Sequence, residues 1–363
     1  MNEKNKIELS IVTPLSVGEG EEGVWKRGVD YVVEDGRVYH IAIDRMAAAG
    51  LDVDRIAALL AAQDEKGIKN LLGNRLESVS DKVMECPVNN PQDIRMMIHQ
   101  GLSGKPYIPG SSIKGAIRSA LFGTWKEEGI DSERDVFGQL KDGGDFMRYI
   151  QVSDVTFDST RLVNTKIFNL QGSGRDWEGG WKHRGGRDSS TTAEFRPEGF
   201  NTLYECLPMG AKGVGSIKLA ERQFVQYDLP QPMKEKKDEL FDHSEYEPIE
   251  NLFYIINNHT YDFLEREKKF FHQYGQADGA DKIENGINKL MNMANYCIDD
   301  GHSCLLKMAA GSGFHAVTGD WQYSDHTRTK INPKTGKILY KSRKIACTKN
   351  FYLMGFVKLS IID

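Results

Sequence analysis

The chain has 363 residues, of which 39% are hydrophobic and 27% are charged, a globular composition that excludes a disordered protein. Its formal net charge of −5 argues against a protein that coats nucleic acid by bulk electrostatics, although local basic patches are compatible with it. No apolar run reaches the roughly 20 residues of a membrane span, and the start lacks a secretory signal, so we expect a cytoplasmic protein without membrane contact. The five cysteines are scattered and form no C-x2-C pair, so we expect neither disulfides nor a zinc site.

Strand patterns are spread over the chain. Residues 7–13 alternate apolar and polar side chains until Pro14, which predicts a half-buried strand. Asp35-Gly36 between two β-branched runs is typical of a hairpin turn. The patterns together predict strands over 7–13, 31–43 (a hairpin), 148–157, 162–170, 200–224 (a second hairpin) and 351–362.

Helical spacing of apolar side chains predicts helices over 51–76, 92–100, 112–126, 249–272 and 281–299. Residues 171–190 are rich in glycine and have no periodicity, which predicts a flexible loop. Residues 229–250 are rich in proline and charge, and we place a domain boundary there. The fold class is therefore predicted as α+β, with domains 1–228 and 229–363, the second richer in helix and ending in a strand.

The stretch "YIPGSSIKGAIRSAL", residues 107–121, is the main candidate binding site. Pro109-Gly110 predicts a turn, and a serine after it is a good N-cap for the helix that follows. The first amides of a helix lack intrahelical acceptors and bind anions, and two cations four residues apart share one face beside them. We therefore predict phosphate binding by Gly110, Ser111, Ser112, Lys114 and Arg118.

The same stretch has two other interpretations. The Walker pattern nearly aligns from Gly110 to Gly115, but Ala116 and Ile117 replace its lysine and hydroxyl residue, so a nucleotide hydrolase is not indicated. An ordinary capped helix with two solvated cations explains these residues equally well.

The glycine-rich segment at 171–190 interleaves aromatic and cationic side chains, a composition that suits stacking on unpaired bases and contact with phosphates. The residues concerned are Arg175, Trp177, Arg184 and Arg187, with Trp181 and Lys182 beside them. A disordered surface loop would have the same composition. The lysine-rich segment 326–344 could also follow a phosphate backbone, but a solvated edge strand is the more common explanation of such a stretch.

Catalytic constellations are few. The chain's histidines show neither H-E-x-x-H nor paired metal-ligand spacing. His315, in "GSGFHAVTG", could act as a base in metal-independent RNA cleavage, but a lone loop histidine more often only makes a hydrogen bond. Asp154 could be a metal or proton-transfer carboxylate, or it could equally cap a turn. We expect no cofactor.

Six motifs occur in an informative order: "IVTPLSVGEGEE", "YIPGSSIKGAIRSAL", "YIQVSDV", "ECLPMGAKGVGSIKL", "AAGSGFHAVTG" and "LMGFVKLSI". Together they resemble the repeat-associated (RAMP) proteins of type III CRISPR effector complexes. Their order and the chain length look most like the Csm-complex subunit that caps the 3′ end of the crRNA in subtype III-A. The resemblance spans the whole chain and is dense only at these motifs.

This resemblance implies a ferredoxin-like (RRM-like) core with the helix from Ser112 packed on a sheet. It implies a structural, non-catalytic subunit that binds crRNA near its 3′ portion and contacts the adjacent backbone subunit. It also implies a role in crRNA maturation through host nucleases that trim the 3′ end.

The resemblance further implies that two glycine-rich loops approach the RNA backbone. The first is the stretch from Gly110 to Arg118, and the second comprises Gly311, Ser312 and Gly313. In the second loop a basic residue is expected soon after the aromatic residue, but Ala316 and Val317 stand there, which weakens the case for side-chain phosphate contact.

Two other functions fit the sequence. One is a metal-independent endoribonuclease of the same fold that processes precursor crRNA with His315 or His183. The other is a different subunit of a type III complex, such as the repeated backbone protein. Target-RNA cleavage in such complexes is attributed to an aspartate of the backbone subunit, and Asp154 lies in a different motif, so that role is not assigned here.

Overall fold

The structure, a computed structural model, describes residues 4–21, 23–126, 133–138, 145–173, 176–183, 191–220, 235, 240–241, 247–311, 330–331, 338–339 and 342–363. The helices are α1 (Ile43–Ala48), α2 (Val53–Ala61), α3 (Glu65–Leu72), α4 (Leu76–Val79), α5 (Gly110–Trp125), α6 (Glu133–Phe137), α7 (Pro248–Tyr274) and α8 (Ala280–Asp300). The strands are β1 (Asn5–Ile11), β2 (Val24–Lys26), β3 (Tyr31–Glu34), β4 (Arg37–His40), β5 (Val83–Glu85), β6 (Asp93–Arg95), β7 (Tyr107–Ile108), β8 (Ile150–Val152), β9 (Val155–Thr156), β10 (Arg161–Ser173), β11 (Asp176–Lys182), β12 (Thr191–Thr192), β13 (Asn201–Cys206), β14 (Lys212–Leu219), β15 (Ser303–Lys307), β16 (Lys330–Ile331), β17 (Ile338–Leu339), β18 (Ser342–Cys347), β19 (Phe351–Leu353) and β20 (Phe356–Ile362).

A five-stranded antiparallel sheet in the order β15-β20-β1-β14-β8 forms the centre of the fold. Helix α5 follows β1 in the chain, and α7 follows β14. The succession β1-α5-β8-β14-α7-β20 is thus a β-α-β-β-α-β unit with its strands in the ferredoxin-like arrangement, and β15 extends it at one edge. The predicted ferredoxin-like core is confirmed.

The two faces of this sheet differ because the side chains of each strand alternate. On β1, Ile7, Leu9 and Ile11 are buried in a core that also contains apolar side chains of α5 and α7. Lys6 and Glu8, which alternate with them in sequence, lie on the opposite face and are partly or fully exposed. Both helices of the ferredoxin-like unit therefore cover the same face of the sheet.

A second core lies between the larger sheet and the helices α7 and α8. This sheet has the path β12-β11-β10-β13-β6-β2, with β18 and β19 attached at β10. Phe168 and Trp181 from its strands pack with Phe271 of α7 and Ile287 of α8. Helix α7 has 27 residues and is about 40 Å long. It contributes Leu252 and its neighbours to the first core and its C-terminal half to the second.

An insertion after β2 forms a separate small core from the three-stranded sheet β3-β4-β5 and helices α1 to α4. Asp35 and Gly36 have φ values of 47° and 72°, which confirms the predicted hairpin turn. The single helix predicted over 51–76 is divided, because Gln63 adopts a φ of 51° and Asp64 caps the next helix by accepting a hydrogen bond from the Gly67 amide.

Other predicted elements need correction. The helix predicted over 92–100 is wrong, since β6 lies there and pairs in parallel with β13. The hairpin predicted over 200–224 is also wrong, because β13 and β14 belong to different sheets. The helices predicted over 249–272 and 281–299 are confirmed as α7 and α8. Among the described residues, no helix is long and apolar enough to cross a membrane.

Strands from both sides of the expected boundary at 228/229 share the central sheet. β20 pairs along one edge of β1 and β14 along the other. Residues 1–228 and 229–363 therefore build one hydrophobic core together, with α7 packed against α5.

Candidate nucleic-acid interface

Helix α5 starts two or three residues earlier than an N-cap at Ser111 or Ser112 would require. Its N-cap is Pro109, with φ −59° and ψ 137°, and Gly110 is the first helical residue. The Gly110 amide donates a hydrogen bond of 2.7 Å to Oδ1 of Asp154. The prediction of a serine N-cap is wrong, and an anionic carboxylate already occupies the positive end of the helix dipole.

Two glycines of α5 have different roles. A Cβ atom at Gly110 would lie 2.2 Å from the carbonyl oxygen of Val152, so only glycine allows the helix start to approach the end of β8. At Gly115 a Cβ atom would meet nothing within 4 Å. Gly115 and Ser111 are exposed and Lys114 is half-exposed, so a low, open strip with one cation runs along the outer side of the first turns.

Arg118 is held by other parts of the chain. Its guanidinium donates to Oε2 of Glu133 at 2.6 Å and 3.2 Å and lies 3.7 Å from Oδ1 of Asp145. The same group lies over the ring of Phe137, 4.4 Å from its centroid. Two carboxylates thus neutralise the charge of Arg118, and the predicted pair of cations on α5 reduces to Lys114 as the cation facing solvent on this strip.

Gly311 belongs to a tight turn at the end of β15. It has a φ of 79°, and a Cβ atom there would lie 2.8 Å from Cβ of Met354. The Met308 amide donates to the carbonyl of Gly355 at 2.8 Å and fixes the turn against the segment before β20. In the structure Gly311 serves packing. Ser312 and Gly313 lie outside the described residues.

The glycine- and tryptophan-rich segment is not a loop where the structure describes it. Residues 161–173 and 176–182 form the hairpin β10-β11, with Trp177 opposite Gly172, so the prediction of a flexible loop is wrong for these residues. Trp181 is fully buried, and its indole N–H donates to the carbonyl of Asp278 at 2.9 Å. Trp177 is half-buried against the second core, in a different sheet from the one that α5 covers. Arg175, Arg184 and Arg187 lie outside the described residues.

A cluster of ionisable groups surrounds Glu205, whose side chain is completely buried. The carboxylate accepts hydrogen bonds from Lys82, from Thr160 at 2.5 Å and from the Met97 amide at 3.1 Å, and Nε2 of His99 lies 3.3 Å away. Burial alone would raise its pKa, but the hydrogen bond with His99 and the charge of Lys82 outweigh burial and hold the pKa at about 2. Glu205 therefore stays ionised and ties the insertion to the larger sheet.

The described residues offer little for catalysis. The ring of His183 is bonded to the carbonyl oxygen of Glu194 at 3.0 Å, and the Glu194 carboxylate, which interacts with it electrostatically, is paired with Arg196 at 2.7 Å. His315 lies outside the described residues, as do residues 326–329, 332–337 and 340–341 of the lysine-rich segment 326–344. No group of three or more histidine, cysteine, aspartate or glutamate side chains in the described ranges is arranged to hold a metal ion.

A sequence model of the RAMP superfamily matches residues 8–261, more than half of the chain. The chain belongs to the RAMP superfamily. The family predicted from the six motifs is confirmed, and the matched range contains β1 from Glu8 onward and all of α5, β8 and β14 of the ferredoxin-like unit.

Two curated relatives of this chain are named CRISPR system Cms protein Csm5. The protein of Methanocaldococcus jannaschii is 28% identical over 207 residues, which cover 46% of this chain and 46% of the relative. The protein of Streptococcus thermophilus is 26% identical over 192 residues, which cover 44% of this chain and 53% of the relative. The chain spans about half the length of the curated relatives it matches.

Two solved structures share the fold over almost the entire chain. One is a chain of a cryo-EM structure of a Csm–crRNA–target RNA ternary complex of a type III-A CRISPR-Cas system, with a TM-score of 0.65, 17% identity and coverage of 99% of this chain and 100% of that one. The other is the crystal structure of Csm5 from T. onnurineus, with a TM-score of 0.59, 15% identity and coverage of 98% and 100%. The likeness extends beyond residue 261, so β15 and β20 belong to the shared fold.

Proposed function

We propose that this RAMP protein is a crRNA-binding structural subunit of a type III-A CRISPR effector complex, and that it caps the 3′ end of the crRNA without catalytic activity. The observation that carries the proposal is the agreement between two kinds of relative. The curated relatives are Csm5 proteins, and the full-length structural likeness is to a Csm5 chain and to a chain of a Csm–crRNA complex.

The geometry of α5 supports contact with a ribose-phosphate chain along its outer strip. Ser111, Lys114 and Gly115 are accessible there, and the bare Gly115 lets a backbone come close to the helix. A hydroxyl and one ammonium group contact phosphates without reading bases. The contact would thus hold crRNA of any sequence, as a subunit of a guide complex requires.

The proposed partners follow from the same assignment. They are the crRNA, the adjacent backbone RAMP subunit and the other subunits of the complex, with host nucleases that trim the RNA up to the cap. Purification of a tagged chain from a cell that carries the complete complex tests this. We expect one copy per assembly, together with a crRNA, and crRNAs with altered 3′ ends when the chain is deleted.

The contribution of the α5 strip is tested with Lys114→Gln in the full chain. Binding to a fluorescent crRNA 3′ fragment should weaken about equally for unrelated sequences, and the slope of log K against log salt should become shallower by about 0.7, the value for one phosphate contact to a single strand. Lys66→Gln, an exposed lysine of α3, is the matched control. An unchanged affinity and slope for the Lys114 variant would remove α5 from the interface.

The absence of catalytic activity has its own test. Purified protein is incubated with repeat RNA in the presence of a chelator, and no cleavage is expected. Specific cleavage that is lost on His183→Ala or His315→Ala would instead identify a metal-independent endoribonuclease.

A further inference from the structure

The face of the central sheet opposite α5 carries a set of lysines from three strands. Helix α5 and the N-terminal half of α7 lie on the other face. Among the described residues, the outward positions of β1, of β14 except Ser216, and of β20 from Lys358 onward are half-buried or exposed, whereas Phe356 at the start of β20 is buried in the second core. Lysines occupy four of these positions, which are Lys6 on β1, Lys212 and Lys218 on β14, and Lys358 on β20. Among the outward positions of these three strands, only Glu8 is acidic.

The strand register sets the spacing of this basic face. Ser10 of β1 pairs with Lys212 on one side and Lys358 on the other, so these two lysines are two strand spacings, or roughly 10 Å, apart at the backbone. Lys6 lies four residues from Ser10 on the same strand, roughly 13 Å away. The short serine between the lysines leaves a shallow floor, so an extended polymer can approach the sheet between the cations.

Helix α8 borders the basic face and adds an aromatic side chain. It covers β15 through Leu305, which packs with Met291 and Ala294, and it stops beside Lys358. There the ring of Tyr296 is 60% exposed, and the ammonium of Lys358 lies 5.1 Å from its centroid. An exposed aromatic ring next to a cation is the pair of groups that holds a base and its phosphate in single-strand binding sites.

The charge and composition of the face distinguish between an RNA and a protein as its occupant. Protein interfaces are depleted in lysine and need an apolar or aromatic centre. Here the centre holds Ser10 and Glu8 beside a single exposed apolar side chain, Val214. The Glu8 carboxylate is neutralised by Lys212, whose ammonium lies 2.9 Å away. The hydrogen bond and charge of Lys212 lower the pKa of Glu8.

We propose that this face binds single-stranded RNA, with phosphates on Lys218 and Lys358 and a base stacked on Tyr296. The site is separate from the α5 strip, because α5 packs on the opposite face of the sheet. The proposal therefore does not depend on RNA binding by the strip. It gives the RAMP subunit a second RNA-binding surface on the opposite side of the sheet from α5.

The test uses the full-length chain and a fluorescein-labelled oligouridine, with binding followed by fluorescence anisotropy over a range of salt. Lys218→Gln with Lys358→Gln should weaken binding about fivefold per lysine at 0.1 M salt and make the salt slope shallower by about 1.4. Tyr296→Ala should weaken binding roughly tenfold or more without changing the slope, because stacking contributes about 1–3 kcal/mol per base. Glu8→Gln should tighten binding, a change in the opposite direction that misfolding cannot imitate.

Lys269→Gln is the matched control, since this lysine lies on α7, is 52% exposed and pairs with Glu265. Equal weakening by Lys269→Gln would show a bulk charge effect and overturn the proposal. Unchanged binding in the double lysine variant would also overturn it. Polyglutamate serves as a second probe. If the double variant lost polyglutamate binding and kept oligouridine binding, the face would be a docking site for an acidic protein. Lys114→Gln reports on the α5 strip in the same assay, so failure of either surface can be told from failure of the other.

Discussion

Replacement of Glu205 by glutamine should destabilise the chain by an amount that depends on pH. The carboxyl has a pKa of about 2 in the folded chain and an ordinary value of 4.5 when unfolded. This difference corresponds to about 3 kcal/mol of stability at pH 7, because one pKa unit is equivalent to about 1.4 kcal/mol. Lys82 is 27% exposed and can be rehydrated when its partner is lost. We therefore expect Glu205→Gln to lower the free energy of unfolding by about 2–3 kcal/mol, less than the 3–5 kcal/mol that is typical when a fully buried ion pair loses one partner.

The sign of the pH dependence follows from the lowered pKa. The contribution of Glu205 is complete above the unfolded value of 4.5, and it is lost as the pH falls toward 2. Between pH 7 and pH 3, the gap in unfolding free energy between the wild type and Glu205→Gln should shrink by about 2 kcal/mol.

Urea unfolding followed by far-UV circular dichroism at several pH values measures this gap. Glu77→Gln is the control, because its side chain is 72% exposed and lies 3.9 Å from Arg37, so it should change the free energy of unfolding by less than about 0.5 kcal/mol at any pH. Parallel curves for the wild type and Glu205→Gln from pH 7 to pH 3 would refute the conclusion that the buried carboxylate is held ionised by its neighbours.

Three further predictions concern α5 and the end of β15. Gly110→Ala should lower the free energy of unfolding by about 1–3 kcal/mol, since its Cβ would overlap the carbonyl of Val152, whereas Gly115→Ala should raise it by about 0.5–1 kcal/mol. Thermal unfolding of both variants checks this, and equal effects of the two substitutions would contradict it. Arg118→Gln should lower the melting temperature and leave RNA affinity near that of the wild type, because the guanidinium is paired with carboxylates. A loss of affinity without a loss of stability would show that Arg118 contacts RNA instead. Burial lowers the pKa of Lys307 to about 7, so the unfolded chain binds more protons and stability should rise from pH 7 to pH 10; Lys307→Met should flatten that rise in urea unfolding, and an unchanged rise would assign it to other groups.

The sequence predicted elements with strong local signals and missed their pairing. Helices α5, α7 and α8 follow from the spacing of their apolar residues, and the β3-β4 turn follows from Asp35-Gly36. The prediction of a hairpin over 200–224 was wrong because it assumed that neighbouring strands in the sequence pair with each other. Successive strands usually pair, but here β13 and β14 enter different sheets, and that choice depends on contacts more than 100 residues away in the chain, such as the pairing of β14 with β1.

For the candidate site, too, the sequence predicted the local elements but not their long-range partners. The glycines, the lysine and the helix of the α5 stretch were visible in the sequence, but the partners of its charged groups were not. Asp154 caps the helix from 44 residues away and Glu133 neutralises Arg118 from 15 residues away. One clue to the basic sheet face was available, since lysines alternate with buried residues in "KIELSI", "KGVGSIKL" and "FVKLSII". Only the strand order brings those three segments together.

The position of β1 between β14 and β20 also affects synthesis on the ribosome. When β1 emerges, neither neighbour has been made, and the pairing of Ser10 with Lys358 must wait for almost 350 further residues. Until then an apolar strand with two unpaired edges is exposed to other nascent chains. The central sheet of this chain can therefore form only after β20 has been synthesised. We expect the yield of folded protein to depend on chaperones or on growth at low temperature more than the yield of proteins with local contacts does.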